Sequence, residues 1–279
     1  MELHAVLPDA DPESLTVLAR EAERLGYGGV WLPDHLLPPA AYGPVYGGVD
    51  DPLIALAAVA AVTSRLTLGT SVLVLPLRNP FVVAKQAASL ARLSHGRFVL
   101  GVGAGWERHE FDATGSDFRT RGARTTAALR LVRHLHTAGG APFDDPYYGF
   151  AGGVFAPVPE RPVPLLVGGV SDAALRRAAE TADWWQAVRL DPAAFATHVA
   201  RLRSMTDRPV RVANRADWSE GQPVAEIVEE LAANEAAGAD QVAVSLIPAF
   251  DGLPSALDRL RQLAAEPSLT PYLAPPARV

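Results

Sequence analysis

Short β-branched or leucine-rich runs take turns with longer, Ala-rich runs of helical period along nearly the whole of this chain. No other feature restricts its fold as much. Residues 3–7, 29–32, 66–74, 98–102, 165–167, 184–188, 210–213 and 241–246 read as eight strands. The pattern predicts helices over 12–25, 51–64, 80–94, 121–136, 171–181, 192–205, 223–237 and 253–265. The first three of them open on the same device, a capping residue before a proline: Asp11-Pro12, Asp51-Pro52 and Asn79-Pro80. Eight strands, each followed by a helix, predict an α/β fold of the (β/α)8 TIM-barrel type, one domain over residues 1–279 with insertion loops. A doubly wound open sheet also alternates, but it usually has fewer strands and often a second domain.

Composition removes several function classes. The chain has 279 residues, is 49% apolar and 20% charged, and carries a net charge of −6. That balance does not suggest nucleic acid or an anionic membrane as partner. There is no cysteine, which excludes disulfides, thiolate catalysis and Cys-ligated zinc and fits a cytoplasmic location. The first residues, Met1 to Val6, lack the basic-then-apolar order of a signal peptide. The apolar run at 52–62 is too short to span a bilayer. No HxxxH or HxH pair sits beside a carboxylate in metal-ligand fashion, so no metal site is expected. No G-x-S-x-G or kinase-type motif is present.

Three connections exceed what a barrel needs: 35–50, 103–120 and 139–164. The first two follow strands and belong to the C-terminal face, where this fold builds its active sites. The third follows a helix, so it belongs to the opposite face unless it folds back across the barrel. Asp34-His35 ends the second strand, where a histidine can exchange protons near neutral pH or make a structural contact. Gly101-Val102-Gly103-Ala104-Gly105-Trp106 departs from the dinucleotide fingerprint, with Trp106 where glycine or alanine belongs. It reads either as a close backbone approach to a phosphate or ring, or as a tight turn. Val167-Gly168-Gly169 before Ser171 has the same two readings. His109 and Glu110 either bind a cofactor or start a short helix. Arg119, Arg121 and Arg124 read as salt-bridge partners or as a phosphate contact. Trp31, Trp106, Trp184 and Trp185 lie near strand ends, as core or as stacking surfaces.

In their order and spacing, these segments resemble the luciferase-like monooxygenase family. The resemblance is carried by Glu21 to Tyr27, by Val30-Trp31-Leu32-Pro33-Asp34-His35, by Leu68 to Val72, and by Arg78-Asn79-Pro80. It continues through Gly96 to Trp106, Glu110 to Gly115, Arg121-Gly122-Ala123-Arg124 and Gly168-Gly169, and fades from about Asp191. In detail the chain is most similar to the branch using the 8-hydroxy-5-deazaflavin coenzyme F420. The resemblance implies His35 near the hydride-exchanging ring carbon, with Asp34 beside the ring. It implies a non-prolyl cis peptide within Thr70-Ser71-Val72 under the ring. It also implies that Gly103, Ala104, Gly105, His109, Val167, Gly168 and Gly169 hold side chain and phosphate.

The chain departs from the family in having Thr125-Thr126 after Arg124 in place of an acidic residue, and Trp184 in place of a glycine, which could narrow the pocket. The expected activity is hydride transfer between F420 and a small organic substrate, in natural-product or xenobiotic metabolism. His35 acts with help from Tyr42 or Tyr46, and Trp31, Tyr46 and Trp106 line the substrate pocket. FMN with oxygen as a monooxygenase, and a non-catalytic flavin-binding barrel, are the alternatives. A homodimer is an expectation from the resemblance alone.

Overall fold

A computed structural model describes residues 1–247 and 251–274. Strands β1 (Glu2–Val6), β2 (Gly29–Leu32), β3 (Thr67–Thr70), β4 (Leu73–Val74), β5 (Phe98–Gly103), β6 (Leu165–Gly168), β7 (Trp184–Val188), β8 (Arg211–Asp217) and β9 (Gln241–Ser245) form one sheet. Every pairing is parallel, in the order β3-β2-β1-β9-β8-β7-β6-β5-β4. A further pairing of β3 with β5 closes the ring. β3 and β4 are two halves of one barrel strand, both pairing with β5 and parted at Ser71-Val72. The barrel therefore has eight staves, as expected from the alternation.

The helices are α1 (Pro12–Leu25), α2 (Gly43–Tyr46), α3 (Pro52–Val62), α4 (Pro80–Leu93), α5 (Arg108–Thr114), α6 (Arg121–Ala138), α7 (Asp172–Thr181), α8 (Pro192–Met205), α9 (Val224–Ala236) and α10 (Gly252–Ala265). Asp11, Asp51 and Asn79 each accept two backbone N–H bonds at a helix start, which fixes where α1, α3 and α4 begin. No helix among the described residues is long and apolar enough to cross a membrane.

Alternation along each strand divides the core in two. Outward residues such as Leu3, Leu68, Val212 and Val244 pack against the helices. Inward residues Val6, Trp31, Val99, Leu166, Trp184 and Ala243 fill the barrel. This corrects two expectations. Trp31 does not line a substrate pocket: it is fully buried, its Nε1 donates to His4 Nδ1 at 2.9 Å, and it meets Trp184 edge-on. Room for it comes from Gly69, where a Cβ would lie 2.1 Å from the indole. Trp184 starts β7 at the lower end of the barrel beneath the Arg211 guanidinium, so it does not narrow a pocket at the other end. His4 Nε2 in turn donates to Glu2, which also pairs with Arg211. These contacts close the barrel floor.

The 139–164 excursion takes neither expected course. It runs outside α4 and α6, with Phe143 against His134 near the end of α6 and Tyr147 under Arg124 near its start. A Phe143–Phe150 bridge and the Phe81–Phe150 ring contact hold it there.

Candidate functional site

The strand ends at the open face surround a cavity of about 710 Å3, within the range that takes an organic cofactor. At its centre the chain bulges at Ser71-Val72, whose peptide bond is cis. Val72 is wedged between the ends of β5 and β6. A Cβ on Gly103 would lie 2.6 Å from one Val72 methyl, and a Cβ on Gly168 would lie 2.7 Å from the other. These two glycines make room for Val72 on the cavity floor, and both also line the cavity, as the close-approach reading of them expects. Ser71 Oγ donates to Gln186 Oε1 at 2.7 Å, tying the bulge to β7.

His35 and Asp34 follow β2, but they do separate work. Asp34 is buried, takes the Val74 N–H at 2.8 Å on one oxygen and Arg78 at 2.6 Å on the other. Arg78 also holds Asp51. Burial pushes the Asp34 carboxyl above the usual carboxylate range, against the pull of Arg78. Asp34 is thus a brace joining β2, β4 and the start of α3 as well as part of the lining.

His35 pairs instead with Glu110, its Nδ1 3.0 Å from Oε2. The other Glu110 oxygen accepts the N–H groups of Leu36 and Leu37 at 2.7 and 3.0 Å. With an ionised carboxylate accepting, Nδ1 is the protonated nitrogen, and Nε2 offers a lone pair. Nε2 has no protein hydrogen bond among the described residues, and His35 lines the cavity. Tyr46 lies at a ring separation of 4.5 Å from His35 and Trp106 at 6.0 Å. Both line the cavity; Tyr42 does not, and packs on the outer side of Trp106 at 5.2 Å.

Of the remaining expected contacts, Ala104, Gly105 and Gly169 line the cavity, while Val167 is buried beneath it. His109 is exposed and outside the lining. Glu107 caps α5 by accepting the His109 N–H, and the residue this turns inward is the next one, Glu110. At the far end, Ser171 caps α7, whose first turn lines the wall with Ala173 and Ala174. Arg119, Arg121 and Arg177 converge there. Among the described residues no carboxylate lies within 4.0 Å of any of the three. Arg121 donates to Gly105 O, and Arg177 to Thr126 Oγ1 and Gly122 O. Thr126, standing near where an acidic partner was expected, thus leaves this end cationic.

Sequence reading assigns no role to Gln186, Arg189 or Arg215, and offers Glu110 only as a cofactor contact or the start of a short helix. For Arg215 the one signal is its place near the C-terminal end of β8, where barrel chemistry sits.

The sequence profile of the luciferase-like monooxygenase family matches residues 3–233. An uncharacterized protein of Mycobacterium tuberculosis is 36% identical over 203 residues, covering 68% of this chain and 70% of that protein. An F420-dependent glucose-6-phosphate dehydrogenase of Kineococcus radiotolerans is 37% identical over 176 residues, 62% of this chain. The match takes in 51% of that dehydrogenase, so the chain aligns with about half of its length. An F420-dependent secondary alcohol dehydrogenase, solved with an F420–acetone adduct, superposes with a TM-score of 0.79 at 16% identity. That superposition covers 94% of this chain and 97% of the other. The coenzyme F420 dependent tetrahydromethanopterin reductase from Methanopyrus kandleri gives 0.77 at 16% identity, over 98% and 99%. At those identities the likeness is one of fold.

Proposed function

The chain belongs to the luciferase-like monooxygenase family, and from that premise we propose that it is an oxidoreductase moving hydride between coenzyme F420 and a small organic substrate. The observation that carries the reading is the His35–Glu110 pair, presented to a cavity whose opposite end holds three arginines without carboxylate partners. The F420 dependence of relatives such as the Kineococcus dehydrogenase supports the choice of cofactor.

The residues present fit such a group. Val72 and Ser71 provide a floor for a flat ring, and the uncompensated Arg119, Arg121 and Arg177 with the α7 N-terminus suit a phosphate-bearing tail. When bound, the deazaflavin supplies a two-electron hydride donor or acceptor.

The chain's own residues handle the proton. In the oxidative direction His35 Nε2 accepts the hydroxyl proton of a bound alcohol as its carbinol hydrogen departs with the electron pair, leaving a carbonyl. In reduction the same nitrogen returns that proton to the oxygen. Glu110 fixes the tautomer that makes this possible and stabilises the imidazolium once formed. Trp106 and Tyr46 crowd His35, restricting both its rotamer and the access of water.

Calorimetric titration with oxidised F420 and with FMN tests the reading. Expected is micromolar F420 binding with FMN at least tenfold weaker. FMN binding tighter than F420 overturns the cofactor. Normal F420 binding without hydride exchange, with any alcohol or carbonyl compound of a broad panel, would favour a binding protein.

A further inference from the structure

The cavity wall built by β7 and β8 carries a charge that the protein leaves unbalanced. Arg215 faces inward on β8, lines the cavity, and has a side chain only 7% exposed. Its guanidinium offers five donors. Nε has no hydrogen-bond partner. The two terminal nitrogens reach Ser71 O at 3.4 Å and Ser245 Oγ at 3.5 Å, both long, and the guanidinium also interacts with the Tyr46 hydroxyl.

The carboxylate nearest to Arg215 is already engaged. Asp217 Oδ1 lies 3.8 Å from Nε, too far to bond, and is itself buried without a partner. Asp217 Oδ2 takes Arg189, another cavity-lining residue. Within 4.0 Å, and among the described residues, Arg189 and Arg215 share the single carboxylate of Asp217, an excess of one positive charge at that distance. Burial pulls the Arg215 guanidinium below its ordinary value, with Asp217 and Tyr46 opposing. A cation this deeply desolvated and loosely bonded is costly unless a further acceptor completes it. Water could satisfy donors, but it cannot balance the charge.

Position narrows what completes it. The Tyr46 hydroxyl lies close enough to Arg215 to interact with it, and the Tyr46 ring lies tilted against that of His35, 4.5 Å away. The Arg215 guanidinium is thus one side chain away from the proton-handling nitrogen and belongs to the reacting end of the cavity. The cationic end formed by Arg119, Arg121 and Arg177 is separate.

We propose that Arg215 anchors a carboxylate of the substrate, so that the substrate is a small organic monoanion whose alcohol or carbonyl carbon lies within reach of His35. The planar fork matches a carboxylate edge. A single excess charge is balanced by a monoanion and over-balanced by a phosphate dianion. The inference rests on the proposed reading of this cavity as an oxidoreductase site, and it names the substrate class of that site.

The test is calorimetric titration of the protein, both free and loaded with F420, with straight-chain 2-, 3- and 4-hydroxycarboxylates. Their methyl esters and phosphate monoesters of matched length are the controls. Expected is at least a tenfold preference of the wild type for one or more carboxylates over the matching esters. Arg215→Met loses that preference with F420 affinity intact, and Arg215→Lys retains only part of it. Asp217→Asn raises the local excess to two charges and tightens carboxylate binding several-fold, which keeps the proposal open to refutation should Arg215→Met fold poorly.

Four results overturn the anchor: no carboxylate binding at millimolar concentration, a preference unchanged in Arg215→Met, phosphate monoesters outcompeting carboxylates in the wild type, or an Arg215→Met defect confined to F420 itself. Failure of F420 to bind the wild type removes the cofactor reading instead. The anion arm is then still read on the free protein.

Discussion

Replacing Glu110 separates positioning from proton transfer. Its carboxylate accepts three bonds, from His35 Nδ1, Leu36 N and Leu37 N, at 2% exposure. Hydrogen bonds to a charged group are worth about 1.5–3 kcal/mol each, so the ceiling for Glu110→Ala is roughly 4.5–9 kcal/mol. The true loss lies well below it. Leu36 and Leu37 are 42% and 52% exposed, and their N–H groups can turn to water. Only the His35 bond is lost in full, and relief of the buried charge offsets part of that. About 2–4 kcal/mol is expected from urea unfolding.

Glu110→Gln is the sharper variant. Its amide oxygen can serve Leu36 and Leu37, but its nitrogen then donates toward His35. Nδ1 must become an acceptor and the ring proton moves to Nε2, so the lone pair facing the cavity is lost. The expected cost in stability is only about 1–2 kcal/mol, against a fall in hydride-transfer rate of about 10²–10⁴-fold, the usual contribution of a general base. Two-bond 1H–15N correlation spectra of the histidines report the tautomer directly. A Glu110→Gln protein in which His35 keeps its proton on Nδ1, or in which the rate is unchanged with the tautomer switched, would refute the mechanism.

Further consequences are open to measurement. Arg119→Met and Arg121→Met should each weaken F420 binding by about 10- to 100-fold, the loss of one charge-assisted bond to phosphate; equal affinity would exclude a phosphate there. Gly103→Ala drives a Cβ to 2.6 Å from a Val72 methyl and should cost about 1–3 kcal/mol as overpacking. Val72→Ala in the same chain should restore most of it, whereas additive losses would show that Gly103 serves something other than Val72. The His4 hydrogen bond, then Arg211, holds Glu2 at about 2 rather than 4.5. The folded value being depressed, its contribution is complete above 4.5 and is lost as pH falls toward 2. Burial also lowers His4, adding a loss of stability as pH falls below 6.5. Glu2→Gln should flatten unfolding free energy between pH 4.5 and 2, and an unchanged slope would count against this contact. A homodimer remains a proposal, to which the exposed Ile54 and Val82 at the starts of α3 and α4 lend an apolar surface; sedimentation of wild type and Ile54→Asp should show a dimer and a monomer.

The barrel was legible because its signals are local. Asp-Pro and Asn-Pro caps, period-two strands and period-3.6 helices each act over a few residues, and α1, α3 and α4 start where their caps predict. The site was legible where the family resemblance reached it, at His35, Ser71, Val72 and the glycine turns. What stayed hidden depends on contacts between distant segments. Glu110 reaches His35 across 75 positions, and Arg215 reaches Ser71 across 144. No spacing rule links such pairs. Trp31 was misread for a related reason. It lies at the end of a strand, but strand alternation points it into the barrel, where Gly69 makes space for it.

The barrel interior explains why function could concentrate at one end. Indoles are large, and Trp31 and Trp184 with Val6, Val99, Leu166 and Ala243 fill much of the interior without polar atoms in need of new partners. That fill leaves the cavity side free to be polar. There Ser71, Gln186, Arg215 and Ser245 form a thin network that does not satisfy itself: Gln186 Nε2 and Arg215 Nε lack partners. Buried polar atoms go unpartnered elsewhere too, at Gln241 and His136 among others, so it is the place of these two beside a cavity that suits them to a ligand. Both lie under or beside the Ser71-Val72 bulge. A ligand there would therefore stabilise the folded chain in proportion to its affinity. Truncating the floor, as in Trp31→Ala, should instead lower stability by about 3–5 kcal/mol, a loss that bound ligand offsets without repairing the cavity left behind.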